Sequence, residues 1–492
     1  MKILFVSAEV YPYSKVGGLG DVAGALPRAL AGQGAEVYVV TPAYGTIDRN
    51  IHQTESCPYR FSVRVGNETV YCGFSRWISP QHSNYHIYFI ENEKYFGSRG
   101  VYSDKQGVSY NDQDKRFLLF SKAALEICSV LKWTPDLIHC HDNHTAPIPV
   151  YLKTRSSDYL QFRKTKTLLT LHNIAYQGIV SMERRRIFDF PGKLFYPAAP
   201  LEWYGQINPL KAGIVFADAV STVSPTHAKE IMTDEVLSAG LKSVINEHQQ
   251  HVFGILNGVD YSEWNPATDI FISKQYSPGS LRDKRINKTA LLDETGLDNG
   301  LLDKPLIGMV SRLVEQKGIP VLLEALDRIM AQDAGLIILG SGDESYQQEL
   351  RKFAKLYAKR LKIDFSYNNP LSHKIMAGCD IFLMPSRYEP CGITQMVSLK
   401  YGTVPVVHKT GGLADTVLDW DGKQGNGFLF GDYSADDLIK SISRAVSIYY
   451  KKEEWQQIML NGMKADFSWR QSAEQYLDLY TKLTLHLSGL QN

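Results

Sequence analysis

The sequence is poor in features that assign a class at sight. Its six cysteines, Cys57, Cys72, Cys128, Cys140, Cys379 and Cys391, form no C-x-x-C pair, and several sit in apolar runs where a reduced, buried thiol is the default. Charge of either sign is not in excess: 53 Lys+Arg against 52 Asp+Glu leave a net charge of +1, which offers no field for nucleic acid or an anionic membrane. The one short basic run, Arg184-Arg185-Arg186, reads as a solvated helix face. No apolar stretch reaches membrane-spanning length. Met1-Lys2 leads directly into an apolar strand pattern without a signal or transit segment, so a cytoplasmic location is expected. What remains is a soluble globular composition, 44% hydrophobic and 21% charged, on 492 residues, too long for one ordinary core.

The chain opens on a strand–loop–helix–strand unit. Ile3 to Val10 is a buried-strand pattern, Lys15-Val16-Gly17-Gly18-Leu19-Gly20-Asp21 a glycine loop, and Val22, Ala23, Leu26 and Leu30 a helical face closed by Gly32-Gln33-Gly34. Val37 to Val40 is the second strand. Gly-Gly-x-Gly is not the dinucleotide fingerprint G-x-G-x-x-G, and no acidic residue ends the second strand; an NAD oxidoreductase is thereby excluded. It is not a P-loop either, since Lys15 precedes the glycines. Anion or sugar binding and a merely tight turn both fit the spacing, and the cation beside the glycines favours the first.

Alternation continues along the chain. Residues 61–65 and 70–74 form a hairpin around Gly66-Asn67, 85–90 a strand, and 114–132 a long amphipathic helix. Gly97 to Asp112 is a glycine- and tyrosine-rich loop long enough to suspect a function. Further strands, at 136–140, 166–171, 219–223 and 252–256, end in His141-Asp142-Asn143-His144, His172-Asn173, Ser224-Pro225 and Asn257-Gly258. Residues 264–280 suit an interdomain crossing. A second series has strands at 306–310, 336–339, 363–367, 381–384 and 404–407, with helices near 318–331, 344–360, 371–378, 394–401 and 412–418. A last helix, 469–487, is expected to pack back on the first domain. The fold class expected is α/β with two Rossmann-like doubly wound domains facing a central cleft: an N-terminal domain 1–258, a C-terminal domain 259–468, and the terminal helix 469–492.

Polar groups collect at the strand ends. Arg312 and Lys317 bracket a strand-to-helix turn and could clamp a diphosphate, or form an exposed salt-bridging turn. Glu389, between Tyr388 and Pro390, could accept sugar hydroxyls or cap a helix. Gly340-Ser341-Gly342-Asp343 and Thr410-Gly411-Gly412 are weaker loop signals, the latter a candidate anion nest. His139 and His141 share a strand face, so two metal ligands are conceivable, but no third ligand with known spacing appears and no metal is expected. Asp419-Trp420-Asp421 mimics an acidic metal-diphosphate motif in a polar turn and reads as a surface loop.

These residues carry a resemblance. Lys15–Asp21, Thr170–Gly178 (Thr-Leu-His-Asn-Ile-Ala-Tyr-Gln-Gly), Leu256–Asp260, Ser311–Gly318, Ser386–Gly392 and Lys409–Asp415 are similar, in order and over nearly the whole chain, to the bacterial glycogen synthases and plant starch synthases. The resemblance implies a GT-B glycosyltransferase that uses a nucleotide-sugar donor, usually ADP-glucose, and a growing α-1,4-glucan, with no cofactor. It implies that Lys15, with Gly17 and Gly18 nearby, and Arg312 and Lys317 hold the donor phosphates, that His172 sits at the reacting glucose, and that Glu389 supports the donor sugar. Asp21, Asp142, Asn173 and Asn257 match polar positions of the site, as do Cys391, Gly392, Thr410, Gly411 and Gly412. Two departures stand out: Asn143 replaces a tryptophan of the family's His-Asp-Trp-His stretch, and Val397 falls where many relatives of the wider class place a second glutamate. The Val16 and Gly20 variant of the lysine motif resembles certain plant and cyanobacterial synthases more than the enterobacterial type.

The expected reaction is glucose transfer to the non-reducing 4-hydroxyl of the glucan with retention, an outcome the resemblance supplies. A covalent route would need a carboxylate on the sugar's far face, and none announces itself; a front-face route, with the leaving phosphate helping to deprotonate the acceptor, needs mainly electrostatic stabilisation and orientation. The alternatives are a transferase using UDP-glucose or a small acceptor, and a catalytically silent glucan-binding protein.

Overall fold

The computed structural model describes residues 1–48, 54–366 and 368–485, and its backbone separates into two compact units. The first comprises residues 1–223, 228–258 and the segment from Trp469 onward; the second comprises 224–227 and 259–468.

The first unit is built on a nine-stranded sheet. Its strands are β1 (Lys2–Val6), β2 (Glu36–Pro42), β3 (Glu55–Val65), β4 (Glu68–Ile78), β5 (Tyr85–Glu91), β6 (Leu137–His141), β7 (Lys166–Leu171), β11 (Ala219–Thr222) and β12 (Val252–Gly254). Between β7 and β11 the short strands β8 (Val180–Ser181), β9 (Glu202–Trp203) and β10 (Gln206–Ile207) make a separate small sheet. The large sheet runs β12-β11-β7-β6-β1-β2-β5-β4-β3, parallel except for the β3–β4–β5 meander at one edge. Its central strand is β1, where Phe5 lies opposite Val39 on one side and His139 on the other. Strand order reverses between β1 and β6: the chain leaves β1 toward β2 and later returns to β6. A doubly wound sheet opens a crevice at that reversal, beyond the strands' C-terminal ends.

The second unit repeats the plan with six parallel strands, β13 (Leu306–Val310), β14 (Gly335–Leu339), β15 (Leu361–Asp364), β16 (Ile381–Met384), β17 (Val404–His408) and β18 (Phe428–Phe430). The order β15-β14-β13-β16-β17-β18 places the reversal between β13 and β16. Both sheets carry near-continuous apolar strands because helices cover both faces; every residue of β14, β16 and β17 is buried.

The expected elements form with shifted ends. The hairpin around Gly66-Asn67 extends to eleven residues a side, with Gly66 at φ +59°. The first helix, Gly18–Gly32, ends as its glycines predict, with Gly34 at φ +93°. The opening apolar run does not continue as strand to Val10. It ends at Val6, where the Ser7 hydroxyl donates to the Glu9 carbonyl at 2.7 Å and competes with the ladder. The strand expected at 363–367 lies at Leu361–Asp364, and Tyr367 is outside the described residues. The small β8-β10-β9 sheet, β18 and the helices Ala435–Tyr449 and Lys452–Lys464 were not read from the sequence, although Ser434 caps the former by accepting from the Asp437 amide at 3.3 Å.

The last helix spans Trp469–Leu485, and the end expected at 487 lies outside the described residues. Ala473, Tyr476 and Tyr480 are fully buried beside the Gly18–Gly32 helix. Tyr480 and His139 hydrogen-bond at 2.7 Å, tying the last helix to the middle of the first sheet. Among the described residues no helix is long and apolar enough to cross a membrane. Tyr480→Phe leaves the buried His139 Nδ1 without its partner and is expected to lower stability by about 1–3 kcal/mol, read from the midpoint of chemical denaturation.

Candidate active site

In the first unit, the loops that leave β1, β6 and β7 meet at one edge of the sheet. Glu9, just past β1 and 2% exposed, organises the glycine loop. Its Oε2 accepts from the Val16 amide at 2.6 Å and the Gly17 amide at 2.9 Å, and its Oε1 accepts from the Tyr102 hydroxyl at 2.6 Å. Two amides that could have faced an external anion are therefore held by an internal one, while those of Gly18 and Leu19 have no partner among the described residues. A Cβ at Gly17 or Gly18 would meet nothing within 4 Å, so neither glycine is required by packing; a Cβ at Gly24 would fall 2.5 Å from the Tyr11 carbonyl, so that one is. Lys15 pairs with Asp21 at 2.6 Å, both partly exposed.

The Gly97–Asp112 loop reaches this site. Arg116, fully buried, donates to the carbonyls of Tyr95, Gly100 and Val101 and so fixes the loop. The loop's Tyr102, besides bonding Glu9, stacks on His144 with ring centroids 5.0 Å apart. Asp142, at φ +54°, accepts from the His172 amide at 2.7 Å and the Asn173 amide at 3.5 Å, so one carboxylate ties the end of β6 to the end of β7. His141 Nδ1 lies 2.9 Å from His172 Nε2. Asn143, in the place of the expected tryptophan, donates to the Tyr176 carbonyl at 2.8 Å and packs against Gly178. His139 and His141 do share a face, with centroids 4.1 Å apart. Both ring nitrogens of His139 are engaged, by Thr170 at 2.6 Å and by Tyr480, so this histidine acts as a core strut. Asn257 is buried, and its Oδ1 has no hydrogen-bond partner among the described residues.

Burial sets the protonation of this cluster. It drives the His172 pKa down to about 3, helped by the neighbouring His144, which is itself pushed to about 3. Burial also raises Asp142 to about 7, against the two amides that favour its carboxylate and with Glu9 adding to the rise. His172 thus presents a neutral imidazole at ordinary pH, able to exchange a hydrogen bond but carrying no charge.

In the second unit the loops after β13, β14, β16 and β17 interlock. Lys317 Nζ lies 2.5 Å from Glu389 Oε2, with both side chains largely buried, and the Ser386 hydroxyl donates to the same oxygen at 3.2 Å. These residues flank the β13/β16 reversal. The Arg387 amide donates to the Gln316 carbonyl at 2.9 Å, and Arg387 pairs with Glu315, locking the two loops together. Gly318 sits at φ +77° where a Cβ would be 1.8 Å from the Pro385 carbonyl oxygen; only glycine fits. Gly411, at φ +42°, abuts the Glu389 carbonyl in the same way, and the Gly412 amide donates to that carbonyl at 3.1 Å. The Thr410–Gly412 loop is thus first a packing device around Glu389, and one amide of the suspected anion nest is used internally. Gly340 and Gly342 likewise press on the backbone of residues 311–313. Cys391 is buried, and Gly392, at φ +70°, adjoins Gln395.

Arg312 is exposed and makes no ion pair among the described residues. Val397 is 1% exposed in the helix Thr394–Lys400, a core position with no carboxylate to offer. Asp421 accepts from the amides of Lys423, Gln424 and Gly425, which makes its acidic motif the surface turn expected. Sequence reasoning missed Glu9, Tyr102 and Arg116 as parts of the site. Glu9 sat inside an apolar run, and an acid there was the available signal.

Glu9→Ala should release the Val16 and Gly17 amides. Hydrogen bonds to a charged group contribute about 1.5–3 kcal/mol, so exchange at these amides is expected to speed up roughly tenfold or more, measured by hydrogen–deuterium exchange. The His172 ring should keep the NMR signature of a neutral imidazole down to about pH 4. Since its pKa and that of His144 are depressed on folding, their contribution to stability is complete above about pH 6.5 and is lost as pH falls toward 3.

Comparison with known proteins bears directly on this arrangement. The family model for the starch synthase catalytic domain matches residues 2–247, and that for glycosyl transferases group 1 matches residues 298–459. The chain is 43% identical to a glycogen synthase of Geotalea daltonii over 99% of this chain and 100% of that one. It is 41% identical to a glycogen synthase of Thermotoga maritima over 98% and 99%. Among solved structures, the catalytic domain of starch synthase IV from Arabidopsis thaliana, bound to ADP and acarbose, matches with a TM-score of 0.89 and 32% identity, covering 98% of this chain and 99% of that one. A sucrose-phosphate synthase from Thermosynechococcus elongatus, at 17% identity and a TM-score of 0.59 over 99% of both chains, shares the fold alone. With both Rossmann-like units, the strand-end motifs in order and full-length identity above 40%, the chain belongs to the glycogen synthase and starch synthase family of GT-B glycosyltransferases.

Proposed function

We propose that this protein transfers glucose from ADP-glucose to the non-reducing 4-hydroxyl of an α-1,4-glucan with retention of configuration, in the cytoplasm. The observation that carries the reading is the full-length similarity to glycogen synthases, joined to the presence of every strand-end residue the reaction calls for. A nucleotide-sugar donor and a glucan acceptor follow from the family; ADP as the donor's nucleotide is the finer assignment, supported by the ADP bound to the Arabidopsis relative. The six cysteines, all unpaired, suit a reducing compartment.

The assigned roles follow from charge. Lys15, Arg312 and Lys317 take the donor diphosphate, where cations stabilise negative charge growing on the leaving group. Arg312, with no ion-pair partner among the described residues, has its fork available for bidentate phosphate contact. Lys317 is held by Glu389, so that Glu389 orients the lysine and keeps a second carboxylate oxygen for sugar hydroxyls. Neutral His172 serves as a hydrogen-bonding group at the reacting glucose, and Asp142 and Asn173 position its loop. With Val397 in the core, the helix after Glu389 supplies no nucleophilic carboxylate, which suits the front-face route.

Mixing the protein with ADP-glucose and glycogen should release ADP and lengthen the glucan, with UDP-glucose as donor and glucose as acceptor serving as the discriminating controls. No release from a folded sample would favour a silent glucan binder. Lys317→Ala should lower kcat by about 100- to 1000-fold while glycogen binding is retained; a loss below roughly tenfold removes Lys317 from contact with the reacting phosphates.

A further inference from the structure

The small β8-β10-β9 sheet ends in a turn that folding alone does not explain. β9 and β10 are joined by Tyr204-Gly205, at φ +48° and +78°, the signs of a two-residue type I′ hairpin. Asparagine, aspartate and glycine are ordinary at the first of these positions, whereas the Cβ of a tyrosine disfavours the left-handed backbone it must hold there. Among the described residues the tyrosine side chain makes no hydrogen bond that would offset that strain. Tyr204 is 86% exposed, the most exposed large hydrophobic side chain among the described residues. Its hydroxyl has no hydrogen-bond partner among them, and its ring–ring contact among them is with Trp203, edge to face at 5.1 Å.

The turn is nonetheless rigidly built. Glu202 accepts from the Gly205 amide at 2.9 Å and the Ala198 amide at 3.1 Å. Lys211 donates to the carbonyls of Ala199 and Glu202 at 3.0 and 2.8 Å, and its ammonium lies 6.0 Å from the Trp203 ring. Gly240, where a Cβ would come within 3.3 Å of Trp203, lets the indole settle against the backbone. The small sheet is in turn continuous with the catalytic loop: Asn208 donates to Gln177 Oε1 at 2.5 Å, and Tyr176, in the same run as His172, accepts from Asn143. At the turn itself the carboxylate of Glu202 and the ammonium of Lys211 are both directed at backbone groups, and the exposed tip is formed by the aromatic side chains of Trp203 and Tyr204.

We propose that the Trp203–Tyr204 tip is a subsite for the acceptor chain, on which a glucosyl unit other than the reacting one stacks its C–H face. The inference rests on the glucan-acceptor reading above. A neutral polymer of pyranose rings offers the flat C–H faces and hydroxyl rim that an exposed tyrosine recognises through its ring and its phenol, and it demands no charge. The strained tyrosine is kept because the turn aims the ring outward from a fixed base. Long chains gain from such a contact and very short ones do not reach it.

The test uses Tyr204→Asn, which suits the turn better than tyrosine and removes only the ring, beside Tyr204→Phe, which keeps it. Tyr204→Asn should fold with equal or higher thermal stability. In affinity electrophoresis without donor its retention by glycogen should weaken about five- to tenfold, the scale of one aromatic contact. The KM for glycogen should rise in step, with kcat, the donor KM and kcat/KM on maltose unchanged, and Tyr204→Phe should stay within about twofold of the parent. Parental glycogen retention by Tyr204→Asn overturns the subsite, as does an equal loss on maltose, which would put the ring at the reacting end. A parent protein that neither binds nor elongates glycogen overturns the glucan reading, and this subsite with it.

Discussion

A buried carboxylate that accepts from the backbone of a neighbouring loop is the interaction on which the first unit's site depends. Parallel strands deliver several loops to one edge of the sheet, but strand pairing ends before those loops begin, so something else must fix them. Glu9 does this for the glycine loop and, through Tyr102, for the long loop that Arg116 anchors. Asp142 does it for His172 and Asn173. Each acid is held out of water, and a backbone amide is the partner that makes an acid tolerable there. The same burial holds the surrounding histidines neutral and lifts Asp142 toward neutrality. Geometry and protonation have one cause.

The second unit solves the same problem with close backbone contact. Its loops interlock because glycines bring main chain against main chain, as at Gly318 on Pro385 and Gly411 on Glu389. The result is a largely buried ion pair, Lys317–Glu389, at the strand-order reversal, beside the exposed Arg387–Glu315 pair. A pair largely shut from solvent has more consequence for orientation than for stability. It sets the lysine's direction, while Arg312 stays exposed with no ion pair among the described residues.

Much of the placement of the candidate residues was legible in the sequence. Lys15, Asp142, His172, Arg312, Lys317 and Glu389 all fall at strand ends, because an apolar run followed by glycine and polar residues marks such an end. The glycine loops were legible as special backbone but not as to purpose. At Gly411 and Gly412 the need is packing against the backbone of Glu389 and Cys391, while at Gly17 and Gly18 no neighbour among the described residues requires the missing side chain. Glu9 and Arg116 were not legible, since their roles are set by partners up to 93 residues away for Glu9 and 21 for Arg116.

The sequence alone determined the alternation of strands and helices, the two-sheet plan and the ordered motifs of a family, because periodicity and local turn chemistry are properties of neighbours in the chain. Only the tertiary structure decided which amides are already taken, which histidine is a strut, and that a tyrosine at positive φ stands exposed at the tip of a small hairpin. Those depend on burial and on contacts between distant segments, and neither is written in any local stretch.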